Sequence, residues 1–348
     1  MKKKVLVLDG ISGISLARDM AETISTLGLE VGYCSFADLP RIPFYKPRAA
    51  AAKLLNKRED KDSFFHLPKT RLAELESVFQ REQPDAVLVV GFSYKFIAPK
   101  QLRLLAGKHQ AALYLYDTDS CNLYSSRREF VFFLQTELPV YDHVFSFSRV
   151  VTEFLVRQGL PTSFSPFGSV RLPQLKANGE QHQVLFVGSG DLRRVFLLES
   201  IADKLKVYGN RWQRNYPLMS EQLRQCVEDR SIWGDTLYQE LANAKIVLNI
   251  TRAPFYAAET GINLRIFEAM AAGCFVLTDY CDEIAELFTP GEEIETFKGS
   301  AELREKVQYY LKNEEARQRI AERGHQKFLS HFTWEQRLRD MLSLMGCL

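Results

Sequence analysis

The residues best suited to chemistry lie in one stretch, residues 259 to 280, which reads ETGINLRIFEAMAAGCFVLTDY. Asn263 can cap a helix with apolar residues at helical spacing, and Gly273 suits the end of that helix before the strand CFVLTD. The backbone N–H groups of Asn263, Leu264 and Arg265, the helix dipole and the Arg265 guanidinium together favour an anion. We therefore expect a diphosphate to bind at the start of this helix.

Glu268 follows Arg265 by three residues and lies one turn further along the same predicted helix. A carboxylate cannot favour phosphate, but it accepts hydrogen bonds from a pair of ribose hydroxyls. An ion pair with Arg265 is the alternative, and we weigh it as the weaker one because a buried helix beside Gly and Asn turns has little solvent for such a pair. The segment therefore predicts contacts to the ribose and the diphosphate of a nucleotide.

Apolar runs that alternate with helical patterns must position this segment. The runs are KVLVLDG, DAVLVVG, AALYLYD and HVFSFS in the first half, and QVLFVGSG, KLKVYG, KIVLNI and CFVLTD in the second. They are apolar almost throughout, as are parallel strands that helices cover on both faces. The pattern predicts an α/β protein with two doubly wound, Rossmann-like domains, and ligands at the carboxyl ends of the strands.

The length of 348 residues also favours two domains. A stretch rich in Pro, Gly and polar residues suggests a linker between them. The final segment has a capping box at Thr333 and Gln336 and an apolar face, which predicts a docked helix. We expect a first domain over residues 1–168, a linker over 169–181, a second domain over 182–330, and a helical segment over 331–348.

Charge and composition exclude several classes of protein. The net charge of +2 argues against a dedicated nucleic-acid binder, so we expect no nucleic-acid partner. The six cysteines form no C-x-x-C pair and have no His at ligand spacing, so we expect no metal site and no disulfide framework. No signal peptide or membrane-spanning run is visible, and we expect a cytoplasmic protein, with peripheral contact at the inner face of the membrane left open.

The segment FEAMAAGCFVLTD resembles the donor-site signature of GT-B glycosyltransferases. The longer segment NLRIFEAMAAGCFVLTDY, with the upstream KIVLNITR, is more narrowly similar to the CgeB-like (spore maturation protein) glycosyltransferase group. The resemblance covers residues 183 to 345 and is only architectural in the first half. It implies two domains facing across a cleft, with the C-terminal helix crossing back to the first domain. It also implies a metal-independent hexosyltransferase without a cofactor that uses a nucleoside diphosphate sugar as donor substrate.

The same resemblance assigns further donor-binding residues. FVGSGDLRR is similar to the first strand and glycine turn of the second domain, where Gly188, Ser189 and Gly190 allow close approach and Arg193 or Arg194 supplies positive charge. SIWGD stands where the family's loop packs on the nucleobase. This implies that Trp233 or the backbone of Gly234 borders the base, while a place for Trp233 in the core remains an equal alternative.

One position departs from the pattern of retaining enzymes. Many of them have a Glu seven residues before the later one, and here that position is Thr260, with Glu259 one place off. Retaining stereochemistry is therefore not implied.

The acceptor side of the predicted cleft needs a general base if the transfer inverts the sugar. Asp117 and Asp119 follow the buried run AALYLYD directly, and we name them with Glu268 as the catalytic candidates. Capping of a turn is the alternative role for both aspartates.

A basic segment between the second strand and DAVLVVG is the candidate acceptor contact. Residues 41–60 combine aromatic residues and an Ala-rich run with six cations: Arg41, Lys46, Arg48, Lys53, Lys57 and Arg58. The acceptor classes that the resemblance implies are glycans, lipid-linked intermediates and proteins. This cluster favours an anionic or membrane-associated acceptor, and a solvated insertion is the alternative.

A different class of function remains open. KVLVLDGISGISLAR begins as strand, glycine turn and helix, which suits an NAD-type oxidoreductase or a non-catalytic nucleotide-binding protein. The G-x-G-x-x-G pattern is incomplete there, because the third glycine is missing.

Overall fold

The computed structural model of the chain describes residues 3–11, 15–56, 64–173, 175, 177–179 and 181–348. The chain divides into two compact units. The first unit contains residues 1–165 together with Leu338–Leu348, and the second unit is Pro166–Arg337.

The first unit is built on a parallel sheet, with six strands among the described residues. The strand order is β2-β1-β3-β4-β5-β6. The strands are β1 (Lys4–Asp9), β2 (Glu30–Ser35), β3 (Ala86–Val90), β4 (Ala112–Asp117), β5 (His143–Ser146) and β6 (Thr162–Phe164). Every residue of β3 is buried, as expected of a strand with helices on both faces.

Helices connect these strands as crossovers. They are α1 (Leu16–Thr26), α2 (Tyr45–Asn56), α3 (Leu72–Glu82), α4 (Pro99–Lys108), α5 (Arg127–Phe132) and α6 (Arg149–Arg157). Shorter helical turns cover Ser120–Leu123, Phe133–Glu137 and Leu138–Val140. Because all neighbouring strands are parallel, the loops that follow β2 and β4 both leave from the carboxyl edge of the sheet.

The second unit contains another parallel sheet of six described strands, in the order β12-β11-β10-β7-β8-β9. The strands are β7 (His182–Val187), β8 (Leu205–Tyr208), β9 (Val227–Glu228), β10 (Ala244–Asn249), β11 (Val276–Asp279) and β12 (Glu295–Phe297). Strands β7, β10 and β11 are neighbours at the centre, so the loops after Val187, Asn249 and Asp279 start close together.

The helices of the second unit follow the same alternation. They are α7 (Leu192–Leu198), α8 (Glu221–Gln225), α9 (Gly234–Ala242), α10 (Ala253–Ala257), α11 (Leu264–Ala271), α12 (Asp282–Leu287), α13 (Ser300–Lys312), α14 (Glu314–His331) and α15 (Trp334–Leu344), and short turns cover Glu199–Lys204 and Gln213–Leu218. The predicted capping box starts α15, where Gln336 N–H donates to Thr333 Oγ1 over 3.4 Å and Gln336 Oε1 accepts from Thr333 N–H. Residues from Leu338 onward belong to the first unit, where Tyr114 Oη donates to the carbonyl of Met345 over 3.3 Å.

The predicted fold class is confirmed, because both halves form parallel sheets flanked by helices. The described part of the chain has no helix long and apolar enough to cross a bilayer.

Candidate active site

Helix α11 begins where the sequence predicts. Asn263 has an extended backbone, and its side chain accepts a hydrogen bond from Arg265 N–H over 3.2 Å. The cap therefore occupies one of the three N–H groups expected to face a diphosphate. Within the described residues, the N–H groups of Asn263 and Leu264 have no acceptor. Two backbone donors and the positive end of the helix dipole thus remain for an anion.

Arg265 and Glu268 form the ion pair that we weighed as the weaker alternative. Arg265 Nη1 lies 2.7 Å from Glu268 Oε2, and the two side chains are only 10% and 9% exposed. The alternative that we weighed as weaker is therefore present, because with little water to solvate either charge the opposite charges pair. The pair leaves a ribose contact open, because a carboxylate has two oxygens with about four acceptor positions.

Trp233 is 41% exposed, so its alternative place in the core is wrong. The guanidinium of Arg265 lies over its indole ring at 5.8 Å from the ring centre. Gly234 follows at the start of α9 with φ of +56°, and a Cβ there would meet no atom within 4 Å. The SIWGD loop and the start of α11 are therefore neighbours, with an exposed aromatic face beside the candidate diphosphate site.

The glycine turn after β7 packs against protein. Gly188 N–H donates to the carbonyl of Tyr208 and Gly190 N–H to the carbonyl of Asn210, over 2.8 Å and 2.7 Å. A Cβ at Gly190 would lie 2.6 Å from the carbonyl oxygen of Arg211. The close approach expected for a ligand at Gly190 is therefore made to the loop after β8, and this packing requires the glycine.

Arg194 is a buried structural cation. Its guanidinium donates to the carbonyl of Ile250 from Nε and Nη2, over 2.9 Å and 2.7 Å, and to the carbonyl of Ser189 from Nη1 over 2.8 Å. Burial lowers its pKa to about 10. Arg194 thus ties the loop after β7 to the loop after β10, and Arg193 remains the candidate for donor charge in this turn.

Arg193 is held by a carboxylate that the sequence analysis did not single out. Its Nη1 donates to Asp279 Oδ2 over 2.6 Å and to the carbonyl of Thr251 over 2.8 Å. Its guanidinium also lies over the ring of Tyr256 at 3.7 Å from the centre. Asp279 ends β11 and accepts the Thr251 hydroxyl over 2.9 Å. The sequence could have indicated Asp279, because it is a polar residue at the end of an apolar run that forms a central strand.

Asp191 is a second missed residue. Its Oδ1 caps α7 by accepting from Arg193 N–H and Arg194 N–H, and its Oδ2 accepts from Ala253 N–H at the start of α10 over 3.0 Å. One carboxylate therefore fixes the starts of two helices at the carboxyl edge of the sheet. The sequence signal was an Asp directly before a helical pattern.

Thr260 occupies the place of the earlier Glu of retaining enzymes. It is fully buried, and its hydroxyl donates to the carboxylate of Glu283. Glu259 is exposed and has a φ of +58°. At the position where many retaining enzymes have a Glu, this chain therefore has a buried Thr that is hydrogen-bonded within the second unit.

Asp117 has the turn-capping role that was left as an alternative. It is 1% exposed and accepts from Asp119 N–H, Ser120 N–H, the Ser120 hydroxyl and the Ser146 hydroxyl. Burial raises its pKa, which these hydrogen bonds oppose. Asp119 is only partly buried and accepts from the Thr118 hydroxyl and the Asn122 amide. Asp119 is therefore the more accessible of the two candidates, and base catalysis by either stays a prediction.

The basic segment forms α2 and the loop before it. Arg41, Lys46, Arg48 and Lys53 are exposed, while Lys57 and Arg58 lie outside the described residues. Helix α2 also exposes Leu54 and Leu55, each at 62%. Cations and exposed apolar side chains therefore share one helix of the first unit.

A comparison with known protein families agrees with the glycosyl transfer that the fold and the site indicate. Residues 193–343 match the family described as "Glycosyl transferase-like". The match includes α11 with Asn263, Arg265 and Glu268, and it supports the predicted activity, glycosyl transfer. A search of curated proteins finds no match to the sequence.

Several solved structures share the fold over nearly the whole chain. Anabaena HepE in complex with UDP-glucose is similar with a TM-score of 0.67 at 14% identity, over 99% of this chain and 100% of that one. Sucrose-phosphate synthase from Thermosynechococcus elongatus gives 0.64 at 13% identity, over 99% and 98%. A glycosyltransferase from Rickettsia africae gives 0.62 at 10% identity, over 99% and 97%. These similarities confirm the predicted GT-B fold.

Proposed function

We propose that this protein transfers a sugar from a nucleoside diphosphate sugar to an acceptor hydroxyl. The single observation that carries the proposal is the grouping of Asn263, Arg265, Glu268 and Trp233 at the start of α11. It joins backbone donors and a guanidinium for the diphosphate, a carboxylate for the ribose and an aromatic face for the base. The UDP-glucose in the HepE structure supports a uridine nucleotide as the first donor to try.

In this site Arg265 contacts both the side chain proposed for the ribose and the side chain proposed for the base. Its guanidinium lies between the Glu268 carboxylate and the Trp233 ring. Negative charge that develops on the leaving diphosphate is stabilised by this cation and by the helix dipole. The same cation orients Glu268, so that the phosphate and ribose contacts depend on each other.

Three finer assignments belong to this proposal. The first two are membership of the CgeB-like group and the transfer of a hexosyl group, and both are supported by the resemblance of NLRIFEAMAAGCFVLTDY and KIVLNITR to that group. Charge neutralisation by Arg265, Arg193 and the α11 dipole supports a reaction without a metal or cofactor. Full activity in the presence of a chelator is the expected result, and loss of activity that Mg²⁺ or Mn²⁺ restores would contradict it.

The acceptor is proposed to be anionic or membrane-associated, among the glycan, lipid-linked and protein acceptors that the resemblance implies. The cations of α2 beside exposed Leu54 and Leu55 support contact with an anionic surface. Replacing Lys53, Lys57 and Arg58 by Ser should reduce co-sedimentation with anionic liposomes and transfer together. A parent protein that ignores such liposomes, with a triple variant that keeps full transfer, would make this segment a solvated insertion.

Titration with uridine, guanosine and thymidine diphosphates and with NAD tests the proposed function against the oxidoreductase alternative. We expect one diphosphate to bind, and Glu268→Ala to weaken its binding. The matched control is Glu240→Ala, on α9 and paired with His182 at 2.6 Å, which should leave nucleotide binding unchanged. Binding of NAD alone, unaffected by Glu268→Ala, would place nucleotide recognition elsewhere and refute the proposal.

A further inference from the structure

Three short segments of the first unit lie side by side at the carboxyl edge of its sheet. Ile42 N–H donates to the carbonyl of Lys69 over 2.8 Å, and Lys69 N–H donates to the carbonyl of Lys95 over 3.2 Å. Arg41 pairs with Thr70 in an antiparallel bridge. The first two segments belong to the connection after β2, and the third belongs to the connection after β3. The backbone therefore brings Arg41, Lys69 and Lys95 into one place.

This place borders the point where the strand order reverses. In the order β2-β1-β3-β4, the direction of chain progression reverses between β1 and β3. The connections after these two strands touch, because a Cβ added at Gly10 would lie 2.5 Å from the carbonyl oxygen of Phe92. Lys95 follows Phe92 in the connection after β3. In open α/β sheets, ligands bind outside the strand ends at such a switch point.

Buried aromatic rings fix the two lysines. The ammonium of Lys69 lies 4.7 Å from the centre of the Phe96 ring, and that of Lys95 lies 4.3 Å from the centre of the Phe92 ring. Phe96 and Phe92 are 5% and 6% exposed, and Phe96 stacks on Phe36 with ring centres 5.1 Å apart. Rings packed in the core cannot move freely, so both ammonium groups are held in place before a ligand binds.

The positive charges of this cluster are not neutralised by ion pairs. Among the described residues, no carboxylate pairs with Arg41, Lys69 or Lys95. Burial and the charges of Arg41 and Lys95 lower the pKa of Lys69. Burial and the charges of Lys69 and Lys95 also lower the pKa of His66, against the charge of Glu129. A bound anion would relieve this repulsion between like charges.

We propose that Arg41, Lys69 and Lys95 bind a phosphate group of the acceptor. The role as acceptor contact rests on the proposed glycosyl transfer, whereas the binding of phosphate stands without it. A guanidinium gives phosphate paired hydrogen bonds, and an ammonium binds it as a point charge. A phosphate monoester carries a charge of about −1.5 to −2 at pH 7, so it matches three cations better than a single carboxylate does.

Acetylation of the parent protein by an N-hydroxysuccinimidyl ester, resolved by residue with mass spectrometry, tests the assignment. Saturating glycerol phosphate should slow the acetylation of Lys69 and Lys95 about threefold or more, because a bound dianion covers both amines and favours their protonated form. The internal control is Lys100, an exposed residue of α4, whose rate should stay unchanged. Phosphate bound at α11 does not affect this local readout.

Two further measurements separate phosphate binding from screening by salt. Sodium acetate at the same ionic strength should protect the two lysines less. Arg41→Ser should weaken protection by glycerol phosphate about tenfold in concentration, because it removes a charged hydrogen-bond donor and leaves both measured amines in place. The matched control is Arg304→Ser, on the exposed side of α13 in the second unit. Equal protection by acetate, no protection by glycerol phosphate, or unchanged protection in an Arg41→Ser protein that is folded by circular dichroism would overturn the proposal.

Vesicles that contain phosphatidic acid present the same ester in a membrane. Protection by glycerol phosphate in solution is the expected result, since the cluster recognises the phosphate itself. Protection by the vesicles but not by glycerol phosphate would make the cluster a membrane contact and overturn the assignment.

The outcomes also separate this proposal from the proposed function. If no nucleoside diphosphate binds the parent protein while glycerol phosphate still protects Lys69 and Lys95, the glycosyl-transfer proposal fails and the phosphate site stands. If nucleotides bind and glycerol phosphate gives no protection, only the phosphate site fails.

Discussion

Arg265 Nη1 and Glu268 Oε2 are 2.7 Å apart on one side of α11, so the cation proposed for the diphosphate is already in contact with the carboxylate proposed for the ribose. Removing either side chain leaves the other without its charged partner in an almost fully buried place. Substitutions at this pair should therefore alter more than one contact to the nucleotide.

Glu268→Ala should lower donor-sugar turnover at least tenfold, about 1.4 kcal/mol, because the ribose loses a charged acceptor and Arg265 loses its partner. The measurement is the initial rate of transfer or donor hydrolysis at saturating and subsaturating donor. Glu268→Gln is the matched variant, and it should retain more activity because it keeps an acceptor oxygen. Rates equal to the parent in the Ala variant would show that the site has been misplaced.

Arg265→Ala should weaken nucleoside diphosphate binding about tenfold, roughly 1.4 kcal/mol, and make it less sensitive to salt. The loss comes from the charge and the hydrogen bonds that a guanidinium gives to phosphate. Affinity measured by calorimetry at two salt concentrations tests both effects. Arg265→Lys keeps the charge and should keep most of the salt dependence, so a similar slope for all three proteins would argue against a phosphate contact.

Trp233 should report nucleotide binding by its fluorescence. The sequence has three tryptophans, and Trp212 and Trp334 are almost fully buried whereas Trp233 is not. Adding a nucleoside diphosphate should change the emission through contact with the base. Trp233→Phe should abolish that change, while Trp212→Phe, if folded, keeps it. A full signal in the Trp233→Phe protein would remove the indole from the site.

Trp334→Ala should destabilise the second unit by about 3–5 kcal/mol, because a buried aromatic side chain is truncated. The indole packs against Gly168, where an added Cβ would lie 3.2 Å from Trp334 Cε3. The backbone N–H of Trp334 donates to the carbonyl of Ser169 over 2.9 Å. Thermal unfolding is the measurement, and the exposed Trp233→Ala is the control with a small expected effect. Lost activity with an unchanged melting temperature would contradict the packing role.

Stability should fall as pH rises from about 4.5 to 7, in part because of Glu137. Burial raises the pKa of this carboxyl to about 7, against hydrogen bonds from Ser93, Tyr94 and Tyr141. Between the unfolded and folded pKa values the folded state binds more protons, so deprotonation at higher pH removes up to roughly 3 kcal/mol.

Denaturant unfolding across this pH range, compared between the parent and Glu137→Gln, isolates the contribution of Glu137. The comparison is needed because burial also raises the pKa of Asp19, to about 6. The Gln variant should show the weaker pH dependence. Parallel curves for the two proteins would mean that Glu137 does not titrate in this range.

The central strands could be predicted from the sequence, and the edges of the sheets largely could not. The eight apolar runs correspond to β1, β3, β4, β5, β7, β8, β10 and β11, which helices cover and which are therefore apolar almost throughout. Of the four edge strands, β6, β9 and β12 have two or three residues each and no apolar run, whereas β2 has six residues. Such a strand is held in place by backbone hydrogen bonds to one neighbouring strand. A hydrophobic pattern in the sequence therefore does not predict it.

The local part of the candidate site was also predictable, because Asn263, Arg265 and Glu268 lie within six consecutive residues of one helix. Contacts between distant segments were not. Asp191 reaches Ala253 N–H across 62 positions of sequence, and Arg193 reaches Asp279 across 86. The ion pair of Arg265 depends on burial, which only the packed structure gives, and so does the exposure of Trp233.

The division of the chain into units has a consequence for biosynthesis. Leu338–Leu348 belong to the first unit but emerge from the ribosome after the whole of Pro166–Arg337. At roughly 5 to 20 residues per second, translating the second unit takes on the order of ten to thirty seconds. Throughout that time the nascent first unit lacks Met341, Leu342 and Met345, which are buried in the finished protein. The first unit is thus an intermediate with uncovered apolar surface while the second unit is synthesised, a state suited to chaperone binding.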